Sequence, residues 1–203
     1  MSTTYEQITP RELKPALYEL DGISRETIEA HYKLYEGYVN KRNEILARLA
    51  TVDLGGANQT YSELRELKLE LSFAVGGIKN HEIYFEHLGG TGGDPAGLFG
   101  DLVKRDFGSV ADWKADLKAT GMAGRGWAWT AYDWDEGRLF NYLGDAQNTF
   151  PVWNATALVA LDVYEHAYFV DFGTDRASYI DRFFDNLDYD VVNDWAQRYG
   201  VRP

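Results

Sequence analysis

A short stretch in the C-terminal half combines residue types that bind metal ions. Asp162 and His166 stand four residues apart, directly after the apolar run Ala155 to Leu161. An apolar run of this length predicts a buried strand, so both side chains would leave the sheet at one end, near the interior. A carboxylate and an imidazole buried there need a partner, and a divalent or trivalent cation is one. An Asp–His hydrogen bond in a core is the other interpretation, and the spacing alone leaves both open.

The composition of the 203 residues limits the kinds of site and partner. The chain has no cysteine, which excludes disulfides and thiolate metal sites and leaves histidines and carboxylates as ligands. A net charge of -12 argues against nucleic acids and anionic membranes as partners. No basic and apolar leader opens the chain, and no apolar run approaches the length of a membrane span. We therefore expect a cytoplasmic protein.

Two long helices are predicted after an extended arm at residues 1–22. The first begins near Ser24 and continues to about Leu49, and the second carries an apolar stripe through residues 61–88. In an antiparallel hairpin, His31 and His81 lie about equally far from the turn and both fall on the buried stripe. Two facing imidazoles are either core residues with hydrogen-bond partners or metal ligands, and the hairpin alone does not decide.

The glycine-rich stretch at residues 89–95 predicts a boundary between two parts. Residues 1–92 would form the arm and the helical hairpin, and residues 93–203 a C-terminal α/β domain. The strands expected in that domain are 127–132, which alternates like a half-buried strand, 138–143 and 155–163. Three strands suffice for a small antiparallel sheet flanked by helices. The predicted fold class is therefore α+β.

Three of the four histidines, His31, His81 and His166, are predicted to face inward. His87 follows His81 by six residues and so points elsewhere. With Asp162, the inward histidines make a set of three imidazoles and one carboxylate, which leaves a coordination position open. Without thiolates, such a set suits iron, manganese or zinc. The residues alone therefore predict a metalloenzyme.

Several motifs in sequence order resemble the iron/manganese superoxide dismutases. The stretch Asp162 to Tyr168 is similar to the family signature Asp-x-Trp-Glu-His-Ala-Tyr, with Tyr164 in the tryptophan position. Asn80-His81 resembles the ligand motif of the second helix, and Gly124-x-Gly126-Trp127-x-Trp129 resembles the aromatic strand. The resemblance extends over nearly the whole chain.

This resemblance implies a superoxide dismutase with one manganese or iron ion per subunit, held by His31, His81, Asp162 and His166. Gln147 looks like the family glutamine that hydrogen-bonds the solvent on the metal, and Tyr38 like the tyrosine at the mouth of the substrate channel. Gly77 stands where iron-type members often carry that glutamine, a pattern that favours manganese.

Further site residues are implied by the same resemblance: Tyr35, Trp127, Trp129, Tyr164, Glu165 and Arg176. The two tryptophans resemble an aromatic shell that keeps the site dry, although aromatic residues at strand spacing are core residues by default. Glu165 resembles a residue that reaches across a subunit interface, so we expect a homodimer, or a tetramer. Arg176 and Lys33 are candidates for attracting superoxide despite the negative net charge.

The first helix departs from the family pattern. Seven residues lead from His31 to Tyr38, one fewer than in typical members, and Leu34 or Tyr35 replaces the channel histidine. Phe169 replaces the tyrosine that usually meets this histidine from the neighbouring subunit. We therefore hypothesise a first helix without a bulge and a proton supply that relies on Tyr35, Tyr38 and water. A metal-binding or structural relative with little dismutase activity is the alternative function.

Overall fold

Two long helices dominate the N-terminal half. The computed structural model describes residues 5–202, in which α1 spans Arg25–Leu49 and α2 spans Glu63–Glu86. Both helices follow a serine, Ser24 and Ser62, whose hydroxyl accepts the backbone N–H three residues later. Each such cap stabilises a helix by about 1 kcal/mol. In the described part of the chain, no helix is long and apolar enough to cross a membrane.

The two helices form the predicted antiparallel hairpin. Arg48 and Glu63 form an ion pair of 2.7 Å at the turn. At the opposite end of the pair, the rings of His31 and His81 have centroids 4.9 Å apart. α1 is an unbroken α-helix, without a wider turn between His31 and Tyr38. His31 and Tyr38 therefore lie on a regular helix, as the hypothesis of a first helix without a bulge expects.

Of the predicted arm at residues 1–22, residues 1–4 lie outside the described part, and residues 5–22 are only partly extended. Pro15–Glu19 form a 3-10 helix, in which Leu17 is completely buried. The ammonium group of Lys14 donates a hydrogen bond of 2.7 Å to the carbonyl of Glu86. The sequence suggested an extended arm because two prolines and scattered apolar residues show no periodicity, and it did not indicate this turn.

Within residues 93–202 five more α-helices follow: α3 Gly97–Phe107, α4 Val110–Ala123, α5 Phe169–Phe172, α6 Arg176–Asp185 and α7 Tyr189–Tyr199. A 3-10 turn at Glu165–Ala167 precedes α5. The buried residues of α4 extend from Val110 to Gly121.

The three strands are β1 Trp127–Asp133, β2 Arg138–Gly144 and β3 Ala155–Asp162. They form an antiparallel sheet in the order β2-β1-β3, which confirms the predicted fold class. Trp127 lies opposite Asp162, and a register shift leaves Leu158 without a partner on β1. β3 therefore forms one edge of the sheet and ends at a candidate metal ligand.

β1 is buried more completely than the predicted half-buried strand. Six of its seven residues are buried, since it is the central strand and α4 packs against it. Alternation in the sequence Trp-Ala-Trp-Thr-Ala-Tyr reflects side-chain size, and both faces of the strand are covered. Large side chains on such a strand are positioned by packing from both sides.

The glycine-rich stretch is bound to the C-terminal half. The N–H groups of Gly89 and Gly90 both donate to the carbonyl of Asn186, and Gly92 N–H donates to that of Leu187. A Cβ atom on Gly90 would lie 2.4 Å from the Leu187 carbonyl oxygen, so only glycine allows this close approach. One cluster of buried apolar side chains includes residues from both halves. The domain boundary near residue 92 stays a prediction.

Candidate metal centre

Four side chains converge where the helical hairpin meets the end of β3. They are the four residues predicted as metal ligands: His31 of α1, His81 of α2, Asp162 of β3 and His166 of the 3-10 turn. Each offers one ligand atom, and these atoms all lie within 4.8 Å of one another. The side chains of His31, His81 and Asp162 are completely buried, whereas that of His166 is 26% exposed. The centre is therefore closed except on the His166 side.

The Asp162 side chain explains how the chain returns to the centre after β3. Its Oδ1 atom accepts the Tyr164 N–H at 2.9 Å, and the Val163 N–H donates to the Gly126 carbonyl at 2.8 Å. An aspartate that accepts the N–H two residues later makes a local turn. This turn leads directly into the 3-10 helix that carries His166. The other oxygen, Oδ2, remains directed at the imidazoles.

The distances around Asp162 Oδ2 test whether these residues fit a metal. Oδ2 lies 3.1 Å from Nε2 of His31 and 3.2 Å from Nε2 of His166, but 3.8 Å from Nε2 of His81. The last distance is too long for a hydrogen bond. Nε2 of His81 is completely buried and has no hydrogen-bond partner in the described structure. A metal ion among the four side chains would satisfy this nitrogen.

The other ring nitrogen of His81 fixes its protonation. Nδ1 lies 2.6 Å from the carbonyl oxygen of Gly77 and so donates its proton to it. The lone pair of Nε2 therefore points into the centre, as a metal ligand requires. Burial, together with the neighbouring His31 imidazole, lowers the pKa of His81 to about 3. His81 is thus neutral, the form in which an imidazole binds metal.

The charge states of the other ligands also suit a metal. Burial raises the pKa of Asp162, but His166 and His31 outweigh burial and hold the pKa well below its usual value. Burial lowers the pKa of His31, although Asp162 opposes it. Burial likewise lowers the pKa of His166, but here Asp162 outweighs it and the pKa is raised. The centre therefore offers an ionised carboxylate and neutral nitrogen donors once metal displaces the remaining protons.

Gln147 links the centre to a network of buried amides and indoles. Its Oε1 atom accepts the Trp127 Nε1–H at 2.9 Å and an Asn80 Nδ2–H at 3.3 Å. Its Nε2 donates to the Tyr38 hydroxyl at 3.3 Å. Because two donors face Oε1, the amide has one orientation, with Nε2 toward Tyr38. The Trp129 Nε1–H donates to Asn80 Oδ1 at 3.2 Å and fixes that amide in turn.

Two glycines of α2 make room for this network. A Cβ atom on Gly76 would lie 2.1 Å from the Gln147 carbonyl oxygen, and one on Gly77 would lie 2.7 Å from the Tyr38 ring. These close approaches join residues that are far apart in the sequence. Because no side chain fits at Gly77, the amide of this network must come from Gln147.

Other aromatic rings cover the ligands. The Tyr164 ring stacks on His166, with centroids 5.2 Å apart and an interplanar angle of 17°. Trp127 contacts His81 edge to face at 5.2 Å. Both tryptophans of the network are buried, and Trp129 stacks on Trp127 with centroids 6.4 Å apart.

Three of the predicted residues make contacts outside this network. The Tyr35 hydroxyl accepts the Arg11 N–H and donates to Glu82, so the structure joins Tyr35 to the arm. The Arg176 guanidinium donates to the carbonyls of Gly121 and Gly124 at the end of α4 and to the Tyr168 hydroxyl. Glu165 is exposed beside His166 and has no ion pair within residues 5–202.

Asn80 is the functional candidate that the sequence interpretation missed. The sequence indicated Asn80 only as part of the motif around His81, whereas in the structure its side-chain amide orients Gln147. A polar residue on the buried stripe, directly before a ligand, was the available signal. Its partners could not be inferred, because Trp129 and Gln147 follow 49 and 67 residues later.

Tyr38 also lies on a surface groove between α1 and α2. The groove has a volume of about 590 Å³, and its lining includes Lys33, Leu34, Tyr38, Lys41 and Phe73. Tyr38 is half-buried, so its ring separates this groove from Gln147 and the ligands. The groove gives small solutes an approach to the network.

Both halves of the chain match models of one protein family. Residues 13–89 match the alpha-hairpin domain of the iron/manganese superoxide dismutases, and residues 95–195 match their C-terminal domain. Together these matches cover most of the chain, including all four candidate ligands.

Curated relatives carry the same family name. The superoxide dismutase [Fe] of Aquifex aeolicus (strain VF5) is 42% identical over 194 residues, 93% of this chain and 90% of the relative. The superoxide dismutase [Fe] of Cupriavidus metallidurans is 37% identical over 89% of this chain and 91% of the relative. The superoxide dismutase [Mn] 1 of Halobacterium salinarum is 32% identical over 88% and 91%. The chain therefore belongs to the iron/manganese superoxide dismutases.

Proposed function

We propose that this protein disproportionates superoxide to dioxygen and hydrogen peroxide with one manganese or iron ion held by His31, His81, Asp162 and His166. The observation that carries the proposal is Nε2 of His81, which is buried, deprotonated and without a partner, and which faces a buried carboxylate and two more imidazoles. When bound, the ion would supply the one-electron oxidation and reduction of superoxide.

The residues around the ligands manage protons and water. Reduction of superoxide to peroxide consumes two protons, and we assign their delivery to the Tyr38 hydroxyl, which faces Gln147 Nε2 and borders the groove. Burial raises the pKa of Tyr38, so the phenol keeps its proton at neutral pH. Trp127, Trp129 and Tyr164 exclude bulk water from the ligands. Tyr35 is left out of this route, because its hydroxyl is bound by the arm.

Manganese is the ion we favour over iron. The support is the origin of the amide, which comes from Gln147 and has no room at Gly77. The names of the relatives include both metals, [Fe] in Aquifex and Cupriavidus and [Mn] in Halobacterium. A second candidate function is a metal-binding relative without fast dismutation. Leu34, exposed at the position of the channel histidine, favours it.

Superoxide decay per bound metal tests these alternatives. We expect protein loaded with manganese to accelerate decay far beyond an equal amount of free ion, and protein loaded with iron to be slower. The measurement is pulse radiolysis on both forms, with metal content determined on the same samples. If neither form exceeds free ion at full occupancy, the second candidate function replaces the first. Faster decay with iron would refute the manganese preference alone.

We also propose a homodimer, with a tetramer as the alternative. Leu34, Phe169 and Val170 are exposed apolar residues, and α5, which carries the last two, packs against α1 close to Glu165 and His166. Phe169 and Val170 are neighbouring exposed apolar side chains, which suits an interaction surface. Equilibrium sedimentation distinguishes a monomer of 23.0 kDa from its multiples. A cytoplasmic location stays a prediction, which cell fractionation tests.

Lys33 is expected to attract superoxide to a groove whose lining balances three basic against three acidic residues: Lys33, Lys41 and Arg48, and Glu44, Glu66 and Glu70. Lys33 lines the groove beside Tyr38 and forms no ion pair within residues 5–202. We expect Lys33→Ala to lower kcat/KM by about two- to tenfold at low salt and to flatten its salt dependence. Lys104→Ala on α3 is the matched control and should change neither. An equal salt dependence in both variants would remove Lys33 from the reaction.

The proposed guiding role of Arg176 is harder to test in isolation. Its guanidinium holds two carbonyls at the end of α4, so a substitution there also changes the support of β1. Its role therefore stays a prediction, and Lys33 is the cleaner position.

A further inference from the structure

His87 is a fully buried histidine outside the metal centre. It directly follows α2, and its Nε2 accepts the backbone N–H of Ala160 at 3.0 Å. Its own carbonyl oxygen accepts the Asp188 N–H at 2.8 Å. His87 therefore joins the end of α2 to β3 and to the segment before α7.

The N–H group that His87 accepts belongs to an edge strand. Within the described structure, β3 pairs with β1 on one side only, and Ala160 is completely buried. A buried N–H on a free strand edge must find a partner outside the sheet. His87 supplies it, so loss of this acceptor would leave a buried donor unpaired.

This hydrogen bond connects two elements that carry metal ligands. His81 lies six residues before His87 on α2, about 9 Å along the helix. Asp162 lies two residues after Ala160 on β3. The distance between His81 and Asp162 is therefore held by a short path through His87 and Ala160.

The bond requires a neutral ring. Since Nε2 accepts, the ring proton is on Nδ1, which is buried and has no hydrogen-bond partner in the described structure. A proton on Nε2 would place one N–H against another. The rings around His87 belong to Phe183 of α6, Trp195 of α7 and Tyr84 of α2, none of which is charged at neutral pH.

The nearby charge opposes protonation of His87. The Lys14 ammonium of the arm repels a positive charge on the His87 ring. From β3, the ring is contacted by the backbone N–H of Ala160, which carries no charge. From the segment before α7, Asp188 contributes its backbone N–H, and its carboxylate lies 4.0 Å from the Lys14 ammonium. Burial and Lys14 lower the pKa of His87 to about 3.

We propose that His87 is an acid-sensitive clamp, which holds α2 to β3 while its ring is neutral and whose protonation in an opened form promotes release of the metal. The last step rests on the proposed function. Acid acts through the opened form, because only there does the ring accept a proton with its ordinary affinity.

The direction and size of the effect follow from proton linkage. Between pH 6.5 and about 3 the opened or unfolded form binds a proton that the closed form does not. The equilibrium constant between the opened and closed forms therefore shifts toward the opened form by about tenfold for each pH unit below 6.5. At pH 5 the shift is about 30-fold. Above pH 6.5 His87 contributes no pH dependence.

Metal loss to a chelator at pH 7 and pH 5 tests the clamp. We compare metal-loaded wild-type protein with His87→Gln, whose amide oxygen accepts the Ala160 N–H without titrating, and with His87→Leu, which accepts nothing. Comparing each protein with itself at the two pH values cancels general changes in stability. The four candidate ligands are the same in all three proteins.

We expect acid to accelerate metal loss in the wild type by up to about 30-fold more than in His87→Gln. His87→Leu should lose metal faster at both pH values, with the weak pH dependence of His87→Gln. The clamp is overturned if acid accelerates metal loss in the wild type by less than about threefold more than in His87→Gln, which corresponds to half a pH unit.

A second measurement needs neither a variant nor a metal. In the metal-free wild-type protein, nitrogen NMR of labelled histidine reads the His87 ring directly. A neutral ring with its proton on Nδ1 at pH 5 supports the clamp, and a ring protonated at pH 5 in the folded protein overturns it. Failure to bind metal at all would refute the proposed function and leave this result unaffected.

Discussion

The Asp162→Asn variant is expected to bind manganese or iron at least about 100-fold more weakly than the wild type and to lose dismutation in proportion. Asp162 is the only carboxylate among the four ligands, and its Oδ2 faces all three imidazoles. An amide removes the one negative charge that balances the cation in a buried site. Metal content after dialysis and superoxide decay per chain measure the loss.

The control is the same substitution at the other end of the sheet. Asp133 of β1 lies opposite Ala155 at the start of β3, whereas Asp162 at the end of β3 lies opposite Trp127 of β1. Asp133 Oδ1 accepts the N–H groups of Asp135 and Glu136, and an asparagine oxygen can accept both. Asp133→Asn should therefore keep its metal and activity. Wild-type metal content in Asp162→Asn would mean that the ion binds elsewhere.

The hairpin and its two histidines could be predicted because helical periodicity determines both. The buried stripe placed His31 and His81 on facing sides, and counting from the turn placed them at one level. Their rings are in contact in the structure. A helical pattern indicates which face of a helix is buried. In a hairpin of two helices, the buried faces and the position of the turn together determine which residues face each other.

That the side chains of Asp162 and His166 lie close together could also be predicted from the sequence, for a different reason. The apolar run ended at Asp162, and the type of that residue supports a local turn. The bond from Tyr164 N–H to Asp162 Oδ1 is such a turn, and it involves neighbours in sequence. Hydrogen bonds of this kind can be predicted from the sequence, because both partners lie within a few residues of each other.

What the sequence could not predict are contacts between distant side chains. The bond from the Arg11 N–H to Tyr35, those from Arg176 to the end of α4 and that from Asn80 to Gln147 each join different elements. Periodicity gives the face on which such a residue lies but not the group that covers it. His87 is a further case, because its partner is a backbone N–H on a strand edge.

Gln147→Leu is expected to keep most of its metal and to lose about 10- to 100-fold in kcat/KM. Leucine has a similar volume but offers neither the Nε2 donor to Tyr38 nor the Oε1 acceptor for Trp127 and Asn80. The Trp127 Nε1–H is left unpaired, at about 1 to 3 kcal/mol, and Asn80 keeps only its bond of 3.5 Å to the carbonyl of residue 147, so the melting temperature should also fall. Pulse radiolysis normalised to bound metal separates the loss of rate from any loss of ion.

Two further substitutions separate the role of the Gln147 donor from that of its packing. Gln147→Glu keeps an acceptor for Trp127 and Asn80 but replaces the Nε2 donor, so it should be as slow as Gln147→Leu while melting closer to the wild type. Asn148→Ala removes the neighbouring amide, which bonds only Ser72 in the described structure, and should leave the rate unchanged. If Gln147→Leu retained both metal and rate, Tyr38 would deliver protons without this amide. Loss of metal in Gln147→Leu would instead make Gln147 a residue that secures the ion, because its network then supports the ligands and not the proton transfer.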